Sequence, residues 1–212
     1  MNHPKTVAVV GGGRLSKQFL PEIIKSNYVI GVDRGAYWLI TNGITPNIAI
    51  GDFDSVSLKE LDEIKKRVHT IKKYPSKKNA TDMELAIEYA IKFKPKEVVI
   101  YGAIGTRLDH TLVAVQLLEK LLNVGIPGSI HDEYNDVYLV DQITLPKDPH
   151  KRYLSLLPVT KQAVVTITGC AYNAADLILH RGKTLGVSNE IREKTATIEV
   201  HSGKALVIQS RD

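Results

Sequence analysis

Acidic side chains follow two short, Val- and Ile-rich runs in the first half of the sequence. Asp33 comes directly after the apolar run Tyr28–Val32. Asp52 and Asp54 come just after a second such run, Ile48–Ile50. In an open parallel sheet, ligands bind beyond the carboxyl ends of the strands. Mg²⁺ is held there by one or two carboxylates together with water and phosphate oxygens, so these residues predict a site for Mg²⁺ and a phosphorylated ligand.

The same acids admit other interpretations. Asp54 and Ser55 could merely form a turn or cap the next helix. An EF-hand loop starting at Asp52 is disfavoured, because Ser57 stands where that loop needs glycine. The letters from Asp52 to Val56 also fit the Asp-x-Asp-x-Val pattern of haloacid-dehalogenase-type phosphatases, in which Asp52 would be a nucleophile. That pattern follows the opening strand of its fold, whereas two predicted strands come first here, and it stays the second hypothesis.

A mixed basic and acidic run occupies Lys77–Glu84. Thr81 and Glu84 have the spacing of a capping box, which predicts that a helix begins here and that Glu84 bonds back to its start. Asp82 would then lie in the first turn, where the helix dipole favours a carboxylate. The functional interpretation is that Asp82 completes the metal site while Lys78 and neighbouring lysines hold phosphate. The structural alternative is a capped helix beside a solvated lysine-rich face.

Two glycine-rich runs could bring the backbone close to a ligand. Gly102–His110 contains glycines that permit close approach and an arginine, Arg107, that can bind phosphate through two hydrogen bonds. The run Gly11–Gly13 offers a second loop of this kind. The simpler interpretation of the first run is a strand-to-helix turn with Asp109 in the first helical turn.

The elements that must position these residues alternate along the first two-thirds of the chain. Alternation of buried strands and amphipathic helices predicts an α/β domain, residues 1–136, with a mostly parallel, doubly wound sheet. The predicted strands are Thr6–Val10, Tyr28–Val32, Ile48–Ile50, Glu97–Tyr101 and Ser129–His131, and the predicted helices are Lys17–Lys25, Ala36–Thr41, Leu58–Arg67, Thr81–Lys92 and Leu108–Leu122.

The pattern changes after about residue 136. Short β-rich runs separated by turn residues predict a small all-β sandwich or barrel domain, residues 137–212. The segment Leu145–His150, with its two prolines, is predicted to be a connector or loop. The predicted strands are Asp136–Val140, Tyr153–Leu157, Ala163–Thr168, Asp176–Leu179, Thr195–His201 and Ala205–Ser210.

Composition excludes several classes of protein. The chain has 212 residues, 43% hydrophobic and 24% charged, with a net charge of +5, which argues against disorder and disulfide scaffolds. Cys170 is the only cysteine, which fits a small buried residue in a reducing cytoplasm. No apolar run approaches the roughly 20 residues of a membrane span. An aromatic content of 6% weighs against nucleic acid as a partner, although a nucleotide- or RNA-binding module remains a third hypothesis.

Five short motifs, in this order, resemble those of the thiamine pyrophosphokinase family, which transfers a pyrophosphoryl group from ATP to thiamine. The family's layout, an α/β domain followed by a β domain, also resembles the predicted one. The motifs are Asp33-Arg34-Gly35-Ala36, Gly51-Asp52-Phe53-Asp54-Ser55, Lys78 with Thr81-Asp82-Met83-Glu84, Arg107-Leu108-Asp109-His110, and Gly186-Val187-Ser188-Asn189-Glu190.

The resemblance implies a role for each matching residue. Asp52, Asp54 and Asp82 would bind Mg²⁺, and with Asp33 and Arg107 they would form the catalytic set. The implied ATP-binding residues are Lys78, Thr81, Arg107, Asp109 and His110, and the implied thiamine-binding residues are Asp109, Ser188 and Asn189. The resemblance further implies a homodimer in which Ser188 and Asn189 come from the partner's β domain.

Overall fold

The structure is a computed structural model, and it describes residues 4–212. The chain forms two compact units, of which the first ends at Glu133 and the second spans Tyr134–Asp212. The boundary after residue 136 that the sequence predicts falls within the strand Asn135–Leu139. The domain limits 1–136 and 137–212 stay predictions.

A parallel sheet forms the centre of the first unit. Its strands are β1 Thr6–Val10, β2 Tyr28–Val32, β3 Ile48–Gly51, β4 Ile71–Lys73, β5 Glu97–Tyr101 and β6 Gly128–His131. Within this unit they lie in the order β6-β5-β1-β2-β3-β4, and every neighbouring pair is parallel. Every side chain of Val7–Val10 in β1 is 0% exposed, as expected for a strand covered on both faces.

The helices of this unit connect its strands. They are α1 Leu20–Lys25, α2 Arg34–Thr41, α3 Leu58–Arg67, α4 Asp82–Ile91 and α5 Leu108–Asn123. The predicted helix Lys17–Lys25 is instead a 3₁₀ turn, Lys17–Phe19, followed by α1, with Pro21 in the first turn of α1, where a missing N–H costs little. Within the described part of the chain, no helix combines the length and apolar character that a membrane span requires.

The second unit is an antiparallel sandwich. Its strands are β7 Asn135–Leu139, β8 Gln142–Pro146, β9 Tyr153–Pro158, β10 Gln162–Thr168, β11 Ala174–His180, β12 Asn189–Glu190, β13 Thr195–Ser202 and β14 Ala205–Ser210. One layer has the order β12-β9-β14-β7 and the other β11-β10-β13-β8. Side chains such as Leu156 from one layer and Val165 and Ile198 from the other share one core. Cys170 is buried in this core, as predicted.

The predicted fold class is therefore confirmed, but three strands, β4, β8 and the two-residue β12, are not among the predicted ones. The sequence-based connector Leu145–His150 is wrong at its start, because β8 continues to Pro146. β8 is an edge strand, where proline can end a strand without removing a needed hydrogen bond. The strand β4 also lies at an edge of its sheet. Two of its three residues are lysines in a strongly basic stretch, so it lacks the apolar run that identifies the other strands.

Candidate active site

Three carboxylates meet at the carboxyl ends of β2 and β3. Asp33 follows β2, Asp52 follows β3, and Asp82 is the first residue of α4. One oxygen from each of the three lies within 4.8 Å of the others. We call Asp33, Asp52 and Asp82 the acidic cluster. Asp33 and Asp52 lie close together, as the sequence predicts, because β2 and β3 are neighbours in the parallel sheet.

Asp33 is held in the cluster by an unusual backbone. Its φ of 47° is uncommon for a residue with a side chain, and such conformations are concentrated at functional sites. The Phe53 N–H donates a 3.1 Å hydrogen bond to Asp33 Oδ1. A Cβ added at Gly51 would lie 1.8 Å from the same oxygen, so glycine is required there for Asp33 to occupy its position.

Asp54 does not join the cluster. Its backbone N–H donates a 3.1 Å hydrogen bond to Asp52 Oδ1, while Asp54 itself is exposed. It lines the same cleft, so its role as a metal ligand stays a prediction. The helix after it is capped by Ser57 in a reciprocal capping box with Glu60, and not by Asp54 or Ser55.

Burial and mutual repulsion perturb these carboxyl groups unequally. Burial, reinforced by the charge of Asp82, raises the pKa of Asp33 to about 7. Burial also acts to raise the pKa of Asp52, but hydrogen bonds from the Asp54 N–H and from Lys78 outweigh it and hold that pKa below its ordinary value. The neighbouring charge of Asp52 raises the pKa of Asp54. Such divergent values are typical of functional sites.

An ammonium group neutralises part of the cluster. Lys78 Nζ lies 3.0 Å from Asp52 Oδ2 and 3.0 Å from Asp82 Oδ2, with 13% of the Lys78 side chain exposed. Burial opposes its charge, but the hydrogen bonds to both carboxylates raise the pKa of Lys78. The second oxygen of Asp82, Oδ1, is buried and accepts no hydrogen bond from the residues that the structure describes.

The start of α4 corrects one sequence-based expectation. Thr81 is the N-cap, and its hydroxyl accepts a 3.2 Å hydrogen bond from the Glu84 N–H, as predicted. The predicted return bond from Glu84 is wrong, because its carboxylate instead pairs with Lys120, which also contacts Glu88. Glu84 therefore fastens α4 to α5 and is not a second cap.

Two glycine loops form one wall of a cleft over the acidic cluster. The Gly13 N–H donates a 2.8 Å hydrogen bond to Gly102 O, and the Arg14 N–H donates one of 2.6 Å to Ile104 O. A Cβ at Gly13 would lie 2.6 Å from two carbonyl oxygens, so only glycine permits this approach. The cleft has a volume of about 540 Å³, and its lining includes Thr81, Lys78, Arg107 and His110.

Arg107 and Asp109 form a surface ion pair at the start of α5. The guanidinium donates from Nε to Asp109 Oδ1 at 3.2 Å and from a terminal nitrogen to Oδ2 at 2.5 Å. Both side chains are largely exposed. The hydrogen bond from Arg107 lowers the pKa of Asp109 to about 2. Their roles in binding ATP stay predictions.

Ser188 and Asn189 lie in the second unit and differ from each other. Asn189 is 5% exposed, and its amide accepts from the Tyr172 N–H and donates to Tyr172 O. Ser188 is exposed with a φ of 61°, and its N–H donates to Ser155 Oγ. Asn189 thus uses its side chain within its own unit, while the role of either residue in binding thiamine stays a prediction.

Two further residues of the cleft lining were not singled out by type or spacing. Arg34, directly after Asp33, brings a second guanidinium to the lining, and Met83 lies beside Asp82. The adjacency of Arg34 to Asp33 at a strand end was the available signal. No pattern in the sequence distinguishes Met83 from a core residue.

Carboxylates, an ammonium group and close-approach glycine loops at the carboxyl edge of a parallel sheet are what a metal-dependent phosphotransferase requires. The family model "Thiamin pyrophosphokinase, catalytic domain" matches residues 20–130, and "Thiamin pyrophosphokinase, vitamin B1 binding domain" matches residues 141–205. The chain belongs to the thiamine pyrophosphokinase family and is an enzyme of thiamine pyrophosphorylation.

Relatives and solved structures agree with this membership. The thiamine pyrophosphokinase of Bacillus subtilis (strain 168) is 32% identical over 215 residues, covering 98% of this chain and 100% of the relative. The crystal structure of thiamine pyrophosphokinase from Bacillus subtilis has a TM-score of 0.91, with 98% of this chain and 100% of that chain covered at 32% identity. Yeast thiamin pyrophosphokinase, at 16% identity, shares the fold with a TM-score of 0.79 over 100% of this chain and 88% of its own.

Proposed function

We propose that this chain transfers the pyrophosphoryl group of ATP to the hydroxyl of thiamine, forming thiamine diphosphate and AMP, in the cleft above the acidic cluster. The observation that carries the proposal is the meeting of Asp33, Asp52 and Asp82 within 4.8 Å, beside Lys78 and two glycine loops. An enzyme that binds a polyphosphate needs positive charge and a close backbone, while carboxylates at the same site can hold a metal ion and accept a proton.

The donors of the cluster fit Mg²⁺. All are carboxylate oxygens, which hard divalent cations prefer, and Asp82 Oδ1 is a buried oxygen with no hydrogen bond from the described residues. Asp52 and Asp82 would hold the ion, with Asp33 and Asp54 as the further candidates. A bound Mg²⁺ supplies charge neutralisation for the phosphate oxygens.

The chain's own residues position the substrates and neutralise the charge that develops. Lys78, Arg107 and Arg34 line the cleft and can bind polyphosphate oxygens. The thiamine hydroxyl oxygen attacks the β-phosphorus in line, the bond from that phosphorus to the α,β-bridging oxygen breaks, and the bridging oxygen leaves with AMP. The hydroxyl proton passes to a carboxylate oxygen. Positioning and electrostatics dominate such a transfer.

A homodimer with shared active sites is part of this proposal. In the first unit, Leu108 and Leu112 are 68% and 53% exposed on the turns of α5 next to Arg107. In the second unit, Tyr172 and Val187 are 75% and 46% exposed near Ser188. Exposed apolar side chains beside functional residues favour burial by a partner. The partner would also exclude water, which competes with the thiamine hydroxyl in attacking ATP. The lone cysteine supports a cytoplasmic setting.

One incubation tests the activity. Protein with ATP, Mg²⁺ and thiamine should yield AMP and thiamine diphosphate in equal amounts, and omission of thiamine should abolish AMP formation. Release of phosphate at the same rate without thiamine would instead favour the phosphatase hypothesis with Asp52 as nucleophile. Salt-sensitive RNA binding without any turnover would favour the binding-module hypothesis.

The shared site has its own test. With thiamine well below the KM, Asp52→Ala chains and Ser188→Ala chains are each expected to have low activity, and mixing them should restore part of it through mixed dimers. Recovery requires one intact site per mixed dimer. Mixed dimers that form without recovering activity would place each complete site within one chain.

A further inference from the structure

The ammonium of Lys78 bridges two carboxylates of the acidic cluster. It contacts Asp52 Oδ2 and Asp82 Oδ2 at 3.0 Å each, and these carboxylates belong to different elements. Within residues 4–212, no other lysine or arginine forms an ion pair with either carboxylate. The side chains of Lys78, Asp52 and Asp82 are only 13%, 9% and 14% exposed, so water screens their charges weakly.

A divalent cation and this ammonium cannot both use the cluster without strong repulsion. The lysine contacts one oxygen of each carboxylate, and Asp52 Oδ1 is already committed to the Asp54 N–H. An ion bound by Asp52 and Asp82 would therefore lie within a few ångströms of the ammonium. The lysine stem is flexible, and Lys78 lines the same cleft as Arg107 and Arg34, which leaves it within the region that a polyphosphate would occupy.

Resting on the metal site of the proposed function, we propose that Lys78 is a positioning residue that exchanges partners. In the metal-free protein its ammonium substitutes for the divalent cation and keeps the carboxylates from separating. When the cation binds, the ammonium is displaced from Asp52 and Asp82 and binds the polyphosphate of ATP. The same side chain thus competes with the metal and cooperates with the nucleotide.

The exchange predicts effects of opposite sign on two ligands. Lys78→Met keeps an unbranched, flexible side chain only one atom shorter and removes its charge. Mn²⁺ binding, measured by the electron paramagnetic resonance of free Mn²⁺ without nucleotide, should become about tenfold tighter, because two charge-assisted hydrogen bonds no longer have to be broken. ATP binding at saturating Mn²⁺ and without thiamine, measured by calorimetry, should become about tenfold weaker.

Lys65→Met is the matched control, because Lys65 is exposed on α3, outside the cleft lining that the structure describes. It should bind Mn²⁺ and ATP as the wild type does, and an equal tightening of Mn²⁺ by this variant would overturn the inference. Mn²⁺ affinity that is unchanged or weaker in Lys78→Met would overturn it too, since Lys78 would then be an organiser of the metal site. Tighter Mn²⁺ with unchanged ATP affinity would refute the transfer to phosphate.

Two results separate this inference from the proposed function. If the wild type and both variants fail to bind Mn²⁺, the metal site is wrong and the exchange is wrong with it. If the wild type binds Mn²⁺ and makes thiamine diphosphate but Lys78→Met shows no tightening, only the exchange fails. Should Lys78→Met not fold, the ¹⁵Nζ resonance of Lys78 in the wild type replaces it. That resonance should shift on addition of Mg²⁺, and a signal that does not respond contradicts displacement.

Discussion

The two units use their buried polar groups in opposite ways. In the second unit, Asn189 satisfies the backbone of Tyr172, and the ammonium of Lys151 pairs with Asp136 at 2.6 Å, so these groups stabilise the sandwich itself. In the first unit, the acidic cluster is crowded, and Asp82 Oδ1 has no hydrogen bond from the described residues. Buried polar groups are normally satisfied, so an unsatisfied and repulsive cluster indicates a ligand that the chain does not itself supply.

The largest effect is expected from neutralising the cluster where it is least satisfied. Asp82→Asn should lower kcat at least a hundredfold, because an amide is a weaker ligand for Mg²⁺ and lacks its charge, while the free energy of unfolding should hardly change. Steady-state kinetics and chemical denaturation measure the two quantities. Asp62→Asn, on the exposed face of α3, is the control and should leave both unchanged. Near-normal turnover of Asp82→Asn would refute the metal site.

The next effect concerns the space that Gly51 provides. Gly51→Ala puts a methyl group where Asp33 Oδ1 lies, so the carboxylate must move and the activity should fall at least tenfold. Gly43→Ala is the control: its φ of 81° is unfavourable for alanine, but no atom lies within 4 Å of the added methyl group. It should cost about 1 kcal/mol of stability and leave the activity unchanged. Equal activities of the two variants would show that Asp33 does not need its observed position.

Much of this site was predictable from short stretches of sequence. Asp33 and Asp52 follow recognisable buried strands, and the rule that parallel strands end at one edge brings them together. The spacing of Thr81 and Glu84 predicts the start of α4. These inferences succeed because each depends on a strand end or on the first turn of a helix, which neighbouring residues determine.

Other features depend on contacts between distant residues and could not be predicted in the same way. Glu84 bonds to Lys120 on another helix, which overrides the local capping pattern. Asn189 resembles an ordinary polar turn residue until its two bonds to the Tyr172 backbone are seen. The strand β4 exists because β3 offers it an edge to pair with, although its own residues are strongly polar.

A smaller effect is expected in the pH dependence of stability. Burial raises the pKa of Asp33 from its ordinary value of 3.8 to about 7, so the folded protein binds this proton more tightly than the unfolded chain. The contribution therefore destabilises the protein as the pH rises from about 4 to 7 and is constant above that range. In EDTA, Asp33→Asn should be more stable than the wild type at pH 8 by roughly 2–4 kcal/mol.

That difference should shrink towards pH 5, which denaturant titrations at several pH values measure directly. Comparing Asp33→Asn with the wild type at each pH cancels the contributions of histidines and other groups. A wild type that is as stable at pH 8 as its Asp33→Asn variant would show that burial and the neighbouring charges do not destabilise the ionised Asp33 carboxylate.

The smallest effects test whether the second unit has a ligand site at all. Asn189→Ala should lower the free energy of unfolding by about 1–3 kcal/mol, because it leaves the Tyr172 N–H and C=O without their partner. Ser188→Ala should change stability by less than about 0.5 kcal/mol, since the exposed hydroxyl is replaced by a methyl group at the surface.

If Ser188 contacts thiamine, the same variant should raise the KM for thiamine severalfold and leave the KM for ATP unchanged. Raised KM values for both substrates would instead indicate a general disturbance of the site. An unchanged KM for thiamine in Ser188→Ala would show that this turn does not bind thiamine. The polar groups at Ser188 and Asn189 would then serve only the structure of the second unit, unlike the acidic cluster of the first.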